Sequence, residues 1–246
     1  MTAPHEETIE NAPGLRETGD GSLTLYSERY GQTFHSQHGA VRESRHVFLE
    51  ASGVAGRLAA GQPARILEIG FGTGLNFFLT AQAAVESGAP LHYLALEREL
   101  LPAGQVRQLG YGEVAPDVLP GYLAFREGLG TAAPGSIRFS LGPVELTLAL
   151  GEATEAPLGA EHFDTIYHDA FSPDANPELW TREFIGSLLP VLRPGGTLVT
   201  YSVKGEVRRL LAGLGLQVEK LPGPPGGKRE MLRAVKEAPD NGTGPA

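Results

Sequence analysis

Residues 65–76 read Arg65-Ile66-Leu67-Glu68-Ile69-Gly70-Phe71-Gly72-Thr73-Gly74-Leu75-Asn76. The short apolar run predicts a buried strand. It passes directly into a loop with glycine at alternate positions. Residues 75–87 then carry helical spacing, so the stretch reads strand, tight turn, helix. Glycine tolerates the positive φ and the close backbone approach that such a turn needs. The spacing is not the dinucleotide fingerprint Gly-x-Gly-x-x-Gly, because here the third glycine follows the second by two residues. By itself such a loop is often only a tight connection, so its meaning depends on what surrounds it.

Working outward, residues 91–96 predict a second strand ending at Glu97, and 99–109 a helix. Residues 137–150 predict two strands around Gly142-Pro143, with Glu152 just beyond. Residues 163–168 predict a buried strand that ends at Asp169. Residues 177–192 predict a helix, with Pro177 suited to its first turn. A turn at 194–196 precedes a strand at 197–202. A basic amphipathic helix (204–214) and two strands (216–220 and 229–235) complete the pattern. Alternating strands and helices imply an α/β fold: an open, mostly parallel sheet covered on both faces. Ligands of such sheets sit beyond the carboxyl ends of the strands. Glu97, Glu152 and Asp169 all fall there.

Upstream, 22–34 alternates and carries aromatics, which predicts a hairpin. Residues 41–58 have helical spacing. The predicted organisation is therefore a flexible leader (1–20), a hairpin and helix extension (21–60), a Rossmann-like domain (61–236) and a flexible tail (237–246).

The chain has 246 residues, 41% hydrophobic and 20% charged, enough for a full core without staples. It contains no cysteine. That excludes disulfides, thiolate-bound zinc, iron–sulfur clusters and a thiol nucleophile, and it fits a cytoplasmic protein. No apolar run is long enough to span a membrane, and the acidic start is not a signal peptide. His35 and His38 lie three apart without an accompanying carboxylate cluster, so no metal site is expected. The formal charge of −9 argues against a generic nucleic-acid coat. The charge is uneven, however: residues 203–236 hold eight Lys or Arg against three Glu. A local basic surface is compatible with the acidic total.

Glu68-x-Gly70-x-Gly72-x-Gly74 resembles motif I of the class I S-adenosylmethionine-dependent methyltransferases. That resemblance implies S-adenosyl-L-methionine as cofactor. A carboxylate near the loop would accept hydrogen bonds from the ligand's ammonium group, and the helix start would favour its carboxylate. Glu97 would accept the ribose hydroxyls, and Glu152 would meet the adenine amino group.

A longer resemblance covers residues 22–236. The stretch Asp169-Ala170-Phe171-Ser172-Pro173-Asp174-Ala175-Asn176-Pro177-Glu178-Leu179-Trp180 is similar to that of the methyltransferase domain of the MnmC family. So are residues 39–49, Arg193-Pro194-Gly195-Gly196-Thr197-Leu198 and Gly227-Lys228-Arg229-Glu230-Met231. The resemblance implies methylation of 5-aminomethyl-(2-thio)uridine at the tRNA wobble position. It implies a cofactor site of Glu68, Gly70, Phe71, Gly72, Gly74, Asn76, Glu97, Glu152 and Ala153. Tyr30 and Glu43 would fold over the donor. Asp169 would be catalytic, accepting the proton of the amine or orienting it. Phe171, Pro173 and Trp180 would wall the base pocket, and Arg42, Lys228 and Arg229 would meet tRNA phosphates, with Arg45, Lys204, Arg208 and Arg209 as further candidates. No second glycine fingerprint is present, so a form without the flavin-dependent oxidase domain is expected. The residues leave two other readings open. One is an aminopropyltransferase-like or small-amine methyltransferase; the other is a non-catalytic tRNA-binding module.

Overall fold

The computed structural model describes residues 14–129, 135–159 and 162–238. Most of the predicted leader and tail lies outside the described residues. A small antiparallel sheet opens the described chain: β1 (Leu15–Glu17), β2 (Leu23–Ser27) and β3 (Gln32–Thr33). Then come α1 (Ala40–Ser44), a π-helical turn (Arg45–Glu50) and α2 (Val54–Ala59). The main domain follows as β4 (Ala64–Ile69), α3 (Leu75–Ser87), β5 (Leu91–Glu97), α4 (Ala103–Gln108), α5 (Leu119–Gly128), β6 (Gly135–Leu141), β7 (Val144–Leu150) and β8 (Phe163–His168). It ends with α6 (Arg182–Leu188), β9 (Leu192–Thr200), α7 (Gly205–Gly213), β10 (Leu216–Pro222) and β11 (Glu230–Lys236).

The large sheet has eight strands in the order β10-β11-β9-β8-β4-β5-β7-β6. β9, β8, β4, β5 and β7 run parallel, while β11, β10 and β6 are antiparallel additions. The α/β expectation is met. β4 lies in the middle, and the chain leaves it for β5 on one side and returns for β8 on the other. Ligands gather at such a reversal of strand order.

Both faces of β4 are buried. Ala64 and Ile66 face one apolar layer with Phe77, Phe78, Tyr93 and Tyr122. Leu67 and Ile69 face the other, with Ile166, Ile185, Leu188 and Leu211. Strand alternation therefore turns Glu68 toward the first layer, under α3. Each buried aliphatic side chain of this kind stabilises by roughly 1.5–3 kcal/mol.

Three expectations are corrected, and one helix is added. The predicted loose leader does not extend to residue 20, because Leu15–Glu17 pairs with Leu23–Leu25. The helix expected over 41–58 is broken where Gly53 takes φ +86°, a left-handed conformation. The helix expected over 177–192 is broken at Thr181, which is extended and caps α6 by accepting from the Phe184 amide at 3.1 Å. Finally, α5 was not read from sequence: Pro120 and Gly121 masked it, yet Pro is tolerated in a first turn. Among the described residues no helix is long and apolar enough to cross a membrane.

His168, at the end of β8, is buried between layers. Its Nε2–H donates to the Leu179 carbonyl at 2.9 Å, and its ring lies 4.3 Å from that of Trp180. Burial pulls its pKa from 6.5 down to about 4. The unfolded chain therefore binds a proton that the folded chain refuses between those values. This contribution to stability is complete above pH 6.5 and is lost as pH falls toward 4. Urea titrations of wild type and His168→Gln should diverge in pH slope only in that window, by on the order of 3 kcal/mol across it.

Candidate functional site

A cleft of about 760 Å³ opens over the carboxyl ends of β4, β5, β7 and β8. That volume suits a nucleoside-sized ligand with room for part of a second. Its lining combines the glycine loop (Gly70, Phe71, Gly72, Thr73), the end of β5 (Glu97, Arg98), the segment after β7 (Gly151, Glu152, Ala153) and the segment after β8 (Asp169, Ala170, Phe171, Ser172). The β2–β3 hairpin forms the roof with Tyr26, Tyr30, Gln32, Phe34 and His35.

The glycines are demanded first by the protein's own packing. Gly70 has φ +86°, and a Cβ there would lie 2.9 Å from the Asp169 carbonyl. Gly72 has φ +53°, and a Cβ would lie 2.9 Å from the Phe34 ring. Gly74 starts α3 at φ +83°, against Phe71 and Phe78. Gly70 and Gly72 still border the cleft, whereas Gly74 sits behind it.

Glu97 takes one backbone N–H on each carboxylate oxygen, from Gly72 at 2.9 Å and Glu99 at 3.0 Å. Burial raises its pKa, and those amide hydrogen bonds oppose the rise. Each oxygen keeps a lone pair for a further donor, as a ribose diol requires. Glu152 is paired with Arg98, whose Nη1 also donates to the Tyr30 hydroxyl at 3.4 Å. Leu100, Leu101 and Ala153 supply apolar wall.

Asp169 lies at the cleft floor, tied by its amide to the Ile69 carbonyl at 3.0 Å. Burial drives its carboxyl well above the usual range. The Asn76 hydrogen bond and Lys228 oppose that rise, while Glu43 adds to it. Glu43 is buried, accepts the Ser36 amide at 3.1 Å and also borders the cleft. Lys228 closes this end, its Nζ 4.2 Å from the centre of the Tyr201 ring. The Tyr201 hydroxyl in turn donates to the Ala170 carbonyl at 2.9 Å.

Several predicted residues fall elsewhere. Glu68 has no exposed surface and does not border the cleft; Asn76 stands in front of it, also behind the wall. Trp180 is core: its Nε1 donates to the Phe171 carbonyl at 2.8 Å and so pins the segment after β8. Pro173 does not line the cleft. Arg42 is held by the His38 carbonyl and its amide by Asp20, away from the lining. Arg229, expected at tRNA phosphate and not in the cleft, is exposed outside it. Conversely, sequence reasoning missed how the roof attaches. Phe171 stacks on Tyr30 at 4.2 Å and meets Phe34 edge-on at 5.1 Å. Gln32 Nε2 donates to Ser172 Oγ at 2.7 Å. His35 spans Thr24 and Thr73, at 3.1 and 3.4 Å. No local pattern marks contacts 140 residues apart. Among the described residues no cluster could hold a metal ion.

A model of the S-adenosyl-L-methionine-dependent methyltransferases matches residues 126–237. The tRNA 5-methylaminomethyl-2-thiouridine biosynthesis bifunctional protein MnmC of Aromatoleum aromaticum is 38% identical over 93% of this chain, and that of Delftia acidovorans 39% over 86%. These matches cover 36% and 33% of the relatives, so the chain spans about a third of their length. The crystal structure of MNMC2 from Aquifex aeolicus superposes with a TM-score of 0.75 at 29% identity, covering 94% of this chain and 73% of that one. The chain belongs to the MnmC family of S-adenosyl-L-methionine-dependent methyltransferases.

The cleft of this methyltransferase fits that cofactor. The Glu97 carboxylate is fixed by two amides with lone pairs to spare, the glycine loop offers bare backbone, and the wall beyond is apolar. Gly72→Ala should press on Phe34 and strain the loop. Calorimetry should then report S-adenosyl-L-methionine binding weakened by at least about tenfold. Full affinity in that variant would show that the loop and roof do not shape the site.

Proposed function

We propose that this methyltransferase methylates the exocyclic amine of 5-aminomethyl-(2-thio)uridine at the wobble position of tRNA. The observation that carries the reading is the place of Asp169: a carboxyl held at the cleft floor, between the glycine loop and a mouth formed by Phe171, Tyr201 and Lys228. The names of the MnmC relatives support the substrate class.

Bound S-adenosyl-L-methionine supplies an electrophilic methyl group on a sulfonium centre. The protein's part is to orient the acceptor and handle its proton. An amine attacks only through a free lone pair, so an arriving ammonium must shed a proton. Asp169 accepts it, and burial raises the affinity of that carboxyl for protons, as a general base requires. Its Oδ2 is already engaged by Asn76 at 2.7 Å, which leaves Oδ1 for the amine. Alignment of nitrogen with the methyl carbon would supply much of the remaining acceleration.

At the mouth, Tyr26 is 40% exposed, and an aromatic there suits an unstacked anticodon base. Lys228, Arg208, Arg209 and Arg229 are exposed, and none of the four has an ion pair among the described residues. Lys204, Lys220 and Arg233 are paired with Asp174, Glu230 and Glu219 and are weaker candidates for phosphate.

Asp169→Asn should keep S-adenosyl-L-methionine affinity in calorimetry while methyl transfer to undermodified tRNA falls by about 10²–10⁴-fold. In wild type the rate should rise with pH through a pKa above the ordinary aspartate range, and that limb should vanish in the variant. Labelled methyl appearing in putrescine but not in tRNA would defeat the reading. Nucleoside mass spectrometry of tRNA from cells lacking the protein should show aminomethyluridine accumulating at the wobble base.

A further inference from the structure

Behind the cleft floor, one amide joins two carboxyl groups. Asn76 Nδ2 donates to Glu68 Oε1 at 2.9 Å and to Asp169 Oδ2 at 2.7 Å. Both of its hydrogens are used, so its orientation is fixed by its acceptors. Glu68 is fully buried and Asn76 is 4% exposed. Glu68 Oε2 and Asn76 Oδ1 are buried without a hydrogen-bond partner.

We propose that Asn76 is the positioning residue for Asp169, and that Glu68 serves behind it as a neutral carboxylic acid, one side chain removed from any ligand. This differs from the part that the glycine-loop resemblance gives Glu68, a carboxylate accepting from the ligand's ammonium group. It rests on the reading that Asp169 meets the reacting amine.

The argument is one of charge and reach. Glu68 sits on the face of β4 that packs under α3, so its carboxyl lies beneath the helix rather than in the cleft. The groups facing it are Asn76 from α3, Tyr93 from β5, and Asp169 and Glu97 at the neighbouring strand ends. None is a cation. A fully buried carboxylate faced by one amide donor, one tyrosine hydroxyl and two acidic neighbours, with no cation, is costly to ionise, so the proton stays on Glu68. Asp169 is placed differently. It borders the cleft and faces Lys228 as well as Glu43, Tyr201, Tyr93 and Asn76. Of the two acids, Asp169 is the one that carries negative charge when the cleft is filled. A neutral Glu68 anchors Asn76 without adding a second buried anion beside it.

Glutamine imitates a protonated glutamic acid in shape and charge. Glu68→Gln should therefore bind S-adenosyl-L-methionine within about threefold of wild type in calorimetry. Asn76→Ala should keep donor affinity but lower kcat. It should also move the rising limb of the pH–rate profile to higher pH, because the hydrogen bond that holds the Asp169 proton affinity down is gone. Difference infrared spectroscopy of wild type against Glu68→Gln should reveal the carbonyl stretch of a protonated acid at neutral pH. A donor affinity lost by about tenfold or more in Glu68→Gln, or no such band, would overturn the assignment to Glu68. Unchanged turnover and pH profile in Asn76→Ala would overturn the assignment to Asn76. The binding and infrared measurements use no tRNA, so they decide the state of Glu68 even if the acceptor proves to be a different amine.

Discussion

Backbone touches backbone where the chain leaves β4 and β8. The Asp169 amide donates to the Ile69 carbonyl at 3.0 Å, and its own carbonyl oxygen would lie only 2.9 Å from a Cβ on Gly70. Only a residue without a side chain permits that approach. The rest of the site depends on it. It brings the Asp169 carboxyl within reach of Asn76 on α3, and it sets the floor on which the glycine loop and the segment after β8 meet. The next glycine extends the same constraint upward, because Phe34 of the roof lies over Gly72.

The roof is held by contacts of mixed character. Phe171 stacks on Tyr30, Gln32 bonds Ser172, and His35 lies between Thr24 and Thr73. The Tyr111 hydroxyl donates to Thr73 at 3.0 Å, which carries the link into the core. Burial pulls the pKa of His35 to about 4, so the ring is neutral at physiological pH. A neutral ring beside the donor site adds no repulsion toward a cationic ligand.

Much of the fold was legible along the chain. Strand and helix periods marked β4, α3, β5, β8 and α7 near their observed limits, and the acids at the strand ends marked the rim of the cleft. Glu97 borders the cleft and Asp169 lies at its floor, both beyond the strand ends as expected, and Glu152 borders it, paired with Arg98. Trp180 was read as pocket wall and is core, because an aromatic at a loop end looks the same in sequence whichever way it turns. The guanidinium of Arg42, expected at tRNA phosphate, donates to the nearby His38 carbonyl, a contact that its place in the sequence does not show. α5 was hidden by Pro120 and Gly121, which are tolerated because they fall in its first turn.

The sequence by itself determined the alternation of strand and helix, the parallel sheet, the glycine turn and the list of acids beyond the strands. These follow from periodicity and from the backbone freedom of single residues, which act locally. Only the tertiary structure decided which of those acids face the ligand. Glu68 and Glu97 are both glutamates at the ends of adjacent central strands. Yet Glu68 is sealed under α3, while Glu97 is held at the cleft by amides of the glycine loop and of residue 99. Strand alternation puts both on the same face, since Glu68 pairs with Ala95 and Glu97 lies two residues beyond it; the difference comes from how far along the strand each stands and from what packs above it there. It arises between segments far apart in the chain, and no local pattern records it.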